Sequence, residues 1–120
     1  MIIYYNPRCS KCREAKELLE ENKCDFEIRD YLTTPPDKKE LKDLIHKLGC
    51  KPIDIVRTKE PLFQEKFAGK KLTDARVIKI LSENPILIER PIVVDGEKAV
   101  IGRPPVLVLE LVKKKKRRVR

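Results

Sequence analysis

The chain has 120 residues, 41% of them hydrophobic and 39% charged, and a formal net charge of +9. That length suits one domain with a core that needs no staples. No run approaches 18 apolar residues, which excludes a membrane span, and the apolar residues fall in periodic blocks, which argues against disorder. The start Met1-Ile2-Ile3-Tyr4-Tyr5 lacks a basic region and a long apolar stretch, so a secretion signal is not expected and the reading is cytoplasmic.

Ile2 to Tyr5 is a short β-prone run ended by Asn6-Pro7. From Ser10 to Asn22, Cys12, Ala15, Leu18 and Leu19 share one face at helical spacing. Phe26, Ile28 and Tyr31 mark a second strand over 25–31, and Thr34-Pro35-Pro36 is a loop. Asp37 followed by Glu40 has the form of a capping box. It opens a helix with Leu41, Leu44, Ile45 and Leu48 inward and Gly49 at its end.

Short helical pieces are expected over 52–56 and 61–67. Thr73 caps a further helix carrying Val77, Ile78 and Leu81, which Asn84-Pro85 stops. Ile92-Val93-Val94, Asp95-Gly96 and Ala99-Val100-Ile101 read as a hairpin with Asp95-Gly96 at its turn. The stretch from Val106 to Val112 is expected as a last helix.

The predicted order is β-α-β, a helical middle, then β-β-α. This is an α/β chain, a thioredoxin-like four-stranded mixed sheet with a helical insertion between strands 2 and 3. The domain spans 1–112, with the insertion at about 35–85, and a basic tail follows at 113–120. The tail holds four lysines and three arginines; removing those seven cations from +9 leaves +2 for the body. The tail suits phosphates on nucleic acid, anionic lipid or plain solvation.

Cys9, Cys12, Cys24 and Cys50 are the cysteines. A disulfide framework is not expected without secretion, and the spacing lacks the second ligand pair of a zinc site. Cys24 and Cys50 read as small buried hydrophobes. Cys9 and Cys12 form a C-x-x-C where a strand-ending loop enters a helix, a context that favours redox chemistry. The thiolate is the nucleophile, and a helix start supplies free N–H groups and about half a positive charge to stabilise it. Arg8, Lys11 and Arg13 add cations nearby. Cys9 should be the more exposed sulfur, and Cys12, on the inward face, is placed to attack an adduct on Cys9. Pro91 is either a cis proline or a simple strand start. The four glycines are scattered, so no phosphate loop is present, and no metal or organic cofactor site is seen.

Three stretches resemble the ArsC-type arsenate reductases. They are Tyr5-Asn6-Pro7-Arg8-Cys9-Ser10-Lys11-Cys12, the run from Asn84 to Val94 that contains Arg90-Pro91, and Ile101-Gly102-Arg103-Pro104-Pro105. The resemblance covers residues 1–112 in order and spacing. It implies a cis bond at Pro91, Cys9 as the nucleophile that forms a thiol–arsenic adduct, and Arg90 and Arg103 as oxyanion ligands. It further implies that Arg57 acts during arsenite release. An inorganic oxyanion is then the substrate and an external thiol (glutathione, glutaredoxin or thioredoxin) the reductant.

Two departures stand beside it. Tyr5 occupies the place of a histidine in the glutathione-coupled enzymes, and Cys12 creates a C-x-x-C as in the Spx-type regulators that bind RNA polymerase. Three readings therefore remain: an arsenate reductase with Cys12 as candidate resolving thiol, a thiol–disulfide oxidoreductase without an oxyanion, and a redox-sensing transcriptional regulator.

Overall fold

The computed structural model describes residues 1–112; the expected basic tail lies outside the described residues. The chain forms two compact units, one from Met1–Tyr31 with the chain from Arg90 onward, the other from Leu32–Glu89.

In the first unit, β1 (Ile2–Tyr4) leads through α1 (Ser10–Glu21) to β2 (Glu27–Arg29), and the hairpin β3 (Ile92–Asp95) and β4 (Lys98–Ile101) completes a four-stranded sheet. The strand order is β2-β1-β3-β4. β1 pairs parallel with β2, Ile3 opposite Ile28, and antiparallel with β3, Ile3 opposite Val93. This is the mixed sheet of a thioredoxin-like fold.

The centre of the sheet is held by buried β-branched residues of β1 and β3, while Ile2 and Ile28 are exposed. Ile3 and Val93 have no exposed surface, and one core joins them to Ala15, Leu19, Val108, Leu111 and Val112. Each fully buried Leu or Ile removes apolar surface worth about 1.5–3 kcal/mol. The inward face of α1 is Cys12, Ala15 and Leu19, so the helical spacing in the sequence carries directly into packing. Residues 105–108 form a 3-10 turn that continues as helix over 109–112, because Pro104-Pro105 allows entry but denies the first turn its N–H donors.

Several expectations shift by a few residues. α1 ends at Glu21, with Asn22 as its C-cap, and the Asn22 amide donates to the Leu18 carbonyl at 2.8 Å. β2 keeps only three residues, and Tyr31 is buried outside the strand. The hairpin turn is Gly96-Glu97, since Asp95 pairs with Lys98 inside the ladder. Gly96 takes φ +61 and Glu97 is not at positive φ. That is the type II′ pattern, with glycine first, whose twist matches the flanking strands. Cys24 and Cys50 are half-buried instead of core residues; Cys24 lies just past the end of α1 and Cys50 just past that of the next helix.

The second unit is helical. α2 (Lys38–Leu48) is capped by Asp37, whose Oδ1 accepts the Glu40 N–H at 2.8 Å, and closes at Gly49. Leu41, Leu44 and Ile45 are buried, while Leu48 is only half-buried. A 3-10 turn over Pro52–Ile55 precedes α3 (Pro61–Lys66), where Phe63 meets Phe67 with ring centroids 6.0 Å apart. α4 (Asp74–Glu83) starts at Thr73, whose hydroxyl accepts the Arg76 N–H at 3.2 Å, and buries Val77, Ile78, Ile80 and Leu81. A short antiparallel bridge, Val56 with Ile88, closes the unit. It is flanked by Arg57 N–H to Leu87 O at 2.7 Å and Glu89 N–H to Ile55 O at 2.8 Å. Among the described residues no helix is long and apolar enough to cross a membrane.

Candidate active site

The loop between β1 and α1 carries the cysteines. Asn6 is buried, and its Oδ1 accepts the Arg8 N–H at 3.0 Å while its carbonyl accepts the Cys9 N–H at 3.0 Å. Cys9 then takes extended φ/ψ of −92° and 119° as the N-cap of α1. Its sulfur stands at the helix start where a capping oxygen would sit, although no N–H closes a tight capping bond to it. Cys9 is 7% exposed and Cys12 0%, so both sulfurs are covered and only Cys9 meets solvent.

The arginines flank β3 and β4, at the end of the sheet where β1 leads into the cysteine loop. Arg90 ends the segment before β3, and Arg103 follows β4 through Gly102. Arg103 Nη2 lies 3.7 Å from the Cys9 sulfur, and its Nε donates to the Arg90 carbonyl at 2.6 Å. The Arg90 guanidinium hydrogen-bonds the Cys9 sulfur as well. Arg90 Nε and Nη1 are buried with no hydrogen-bond partner among the described residues. Orphaned donors of this kind are costly, so they mark a place where an acceptor fits.

The Arg90–Pro91 and Arg103–Pro104 peptide bonds are both cis. The two arginine segments are zipped by Gly102 N–H to Pro91 O at 2.8 Å. A Cβ on Gly102 would sit 2.9 Å from Pro91 Cγ and 3.1 Å from Val108 Cγ1, so only glycine admits this approach.

The electrostatics separate the two thiols. Burial pushes Cys9 up, but the N–H and thiol of Cys12, the Arg90 guanidinium and the Lys11 N–H together outweigh it, and the thiol ends below its ordinary value. Cys12 is pushed up to about 12, chiefly by burial, and further by the hydrogen bond and negative charge of Cys9. The two thiols are thus shifted in opposite directions, Cys9 towards easier and Cys12 towards harder loss of its proton.

The local cations contribute less than their nearness in sequence suggests. Arg8 and Arg13 are exposed, and Lys11 acts through its backbone N–H. Arg57 belongs to the helical unit, where its Nε meets Glu60 Oε1 at 3.2 Å and its Nη1 meets Glu89 Oε1 at 3.5 Å. Its charge is thus matched by two carboxylates. Asn6 and Gly102 were present in the sequence only as a strand breaker and as part of a motif. The signal for Asn6 is Asn before a tight turn, since its side chain can bond the backbone two residues on.

The thioredoxin-like sheet thus brings a C-x-x-C dithiol at a helix start and two guanidinium groups together at the first sulfur. The chain belongs to the ArsC family: a model of that family matches residues 4–111. It is 42% identical over 104 residues to the arsenate reductase of Neisseria meningitidis (serogroup A), which covers 85% of this chain and 89% of that one. It is 47% identical over 112 residues to the uncharacterized protein YfgD of Escherichia coli K12, covering 92% of this chain and 94% of the relative. The solved arsenate reductase of Vibrio cholerae superposes with a TM-score of 0.87 at 43% identity, over 91% of this chain and 94% of its own.

Proposed function

We propose that this protein is a thiol-dependent arsenate reductase in which Cys9 is the nucleophile, Arg90 and Arg103 hold the oxyanion and Cys12 resolves the adduct. The observation that carries the reading is the pair of buried, unpartnered Arg90 donors beside a sulfur that Arg103 Nη2 also touches. Arsenate is tetrahedral and anionic, and guanidinium forks match its oxygens in number and direction.

The reaction balances with two thiols. The Cys9 thiolate attacks arsenic, an S–As bond forms, and one arsenate oxygen leaves as water after protonation. The Cys12 sulfur then attacks the Cys9 sulfur and gives up its proton. The S–S bond forms, the S–As bond breaks, and its electron pair stays on arsenic. Arsenate is reduced by two electrons to arsenite, and two thiols become one disulfide. An external dithiol of the thioredoxin or glutaredoxin class, or glutathione, returns the disulfide to thiols. Arg57 is assigned to product release by family resemblance alone; in the helical unit it is paired with Glu60 and Glu89.

Cys12 supports this internal route because it lies one helical turn from Cys9 and no outside thiol reaches it directly. The test is arsenate-dependent thiol consumption by purified protein with thioredoxin and its reductase. Wild type consumes reductant and Cys9→Ser does not; equal turnover by Cys9→Ser refutes the assignment. The second reading, a protein thiol–disulfide oxidoreductase without oxyanion, is favoured by the same dithiol. It predicts disulfide turnover that Arg90→Ala leaves unchanged.

A further inference from the structure

We infer that Asn6 is a positioning residue that sets the reactive dithiol through its side chain. Taken over the whole residue, Asn6 is the one polar residue buried among the described residues, at 6% exposed. A buried amide costs about 1–3 kcal/mol unless it is paired, so its presence needs a compensating partner. That partner is the Arg8 N–H, held by Oδ1 at 3.0 Å.

The bond closes an Asx turn over Asn6-Pro7-Arg8, and the turn aims the Asn6 carbonyl at the Cys9 N–H, also at 3.0 Å. Proline at 7 disfavours helical backbone at Asn6, which keeps that residue out of the following helix. Cys9 is thereby held in the extended conformation of an N-cap, with its sulfur over the first turn of α1.

Asn6 also touches the second sulfur. Its backbone hydrogen-bonds Cys12, easing part of the burial that keeps that thiol protonated. One residue thus contacts the backbone of the first cysteine and the sulfur of the second. Any residue supplies the two backbone groups, but only a side chain with a short acceptor locks the turn that points them. Alanine at 6 leaves the Arg8 N–H without its acceptor, the turn opens, and the Cys9 sulfur drifts off the Lys11 and Cys12 N–H groups.

The inference rests on Cys9 being the reactive sulfur, yet its test needs no oxyanion. Iodoacetamide labelling of Cys9, followed by mass spectrometry of its peptide, gives the labelling rate against pH for wild type, Asn6→Ala and Asn6→Ser. Thermal unfolding is measured on the same samples. In folded Asn6→Ala the labelling midpoint is expected to rise by roughly 0.7 unit, and the rate at pH 7 to fall about fivefold, in proportion to the thiolate fraction. Serine, whose hydroxyl makes the same turn bond more weakly, is expected to fall between.

A lowered melting temperature with an unchanged labelling profile in Asn6→Ala makes Asn6 merely structural and overturns the inference. Should Asn6→Ala fail to fold, Asn6→Ser decides: a profile superposable on wild type overturns it. Loss of arsenate turnover in wild type with the expected Asn6→Ala shift would remove the proposed substrate and leave this assignment standing.

Discussion

Replacing Gly102 with alanine tests whether close contact between the two arginine segments builds the site. The added Cβ would stand 2.9 Å from Pro91 Cγ and 3.1 Å from Val108 Cγ1. Ordinary carbon contacts lie near 3.5–4.0 Å, so the proline ring must retreat by roughly half an ångström or more. The ring is closed and Val108 is fully buried, so neither neighbour can swing aside. Overpacking of this kind costs about 1–3 kcal/mol. For a chain of this length that is a melting temperature lowered by roughly 4–12 °C.

The displacement also reaches the chemistry. Gly102 N–H to Pro91 O and Arg103 Nε to Arg90 O are the bonds that register the two guanidinium groups, at 2.8 and 2.6 Å. Separating the segments carries Arg103 Nη2 and the Arg90 guanidinium off the Cys9 sulfur, and with the Arg90 hydrogen bond lost the thiol returns towards its ordinary value. The assay is thermal unfolding together with the Cys9 labelling profile. Gly96→Ala serves as the contrast: Gly96 has φ +61 with open space around its Cβ, so alanine there costs about 1–2 kcal/mol of backbone strain. That variant should leave the labelling profile unchanged. A Gly102→Ala protein that melts within a degree or so of wild type and keeps the wild-type profile refutes the reasoning.

Further tests follow from the thiols, the arginines and the caps. Cys9 should label with a midpoint below the ordinary thiol value of 9.0, while Cys12, pushed up to about 12, should resist labelling in the native protein. The signs of the stability effects are opposite. Cys9 binds its proton less tightly when folded, so its contribution is present above 9.0 and is lost as pH falls through its lowered folded value. Cys12 binds more tightly when folded, so its contribution is present below 9.0 and is lost as pH rises towards about 12; unfolding followed over that range checks both. Arg90→Met should leave the melting temperature unchanged or higher, because it removes two buried donors without acceptors, while raising the Cys9 labelling midpoint. Asp37→Ala should lower stability by about 1 kcal/mol through the lost cap on α2, measured by urea unfolding, with the labelling profile intact.

Elements held by local chemistry were legible in the sequence. Asp37 and Thr73 each bond an N–H three residues on, and such caps need nothing from the rest of the chain. The dithiol at the start of α1 was legible for the same reason. The hairpin was placed one residue early, because Asp95-Gly96 and Gly96-Glu97 both offer glycine to the turn and only the ladder chooses between them. The contact between Cys9 and Arg103 spans 94 positions, and no periodicity encodes it. It was reached through family motifs alone. Those motifs did not reveal that Arg57 is held by Glu60 and Glu89, since a carboxylate three residues away and another 32 away look like ordinary surface charge in a chain so rich in it.

Arg103 spends its guanidinium in two directions at once, one nitrogen gripping a main-chain oxygen and another facing sulfur. A lysine in its place keeps the positive charge, but its three donors fan out from one nitrogen and cannot reproduce the spread between Nε and Nη2. Swapping the two basic residues here is therefore a geometric change before it is an electrostatic one. The charge state of position 103 by itself is a poor guide to which homologues can still make both contacts.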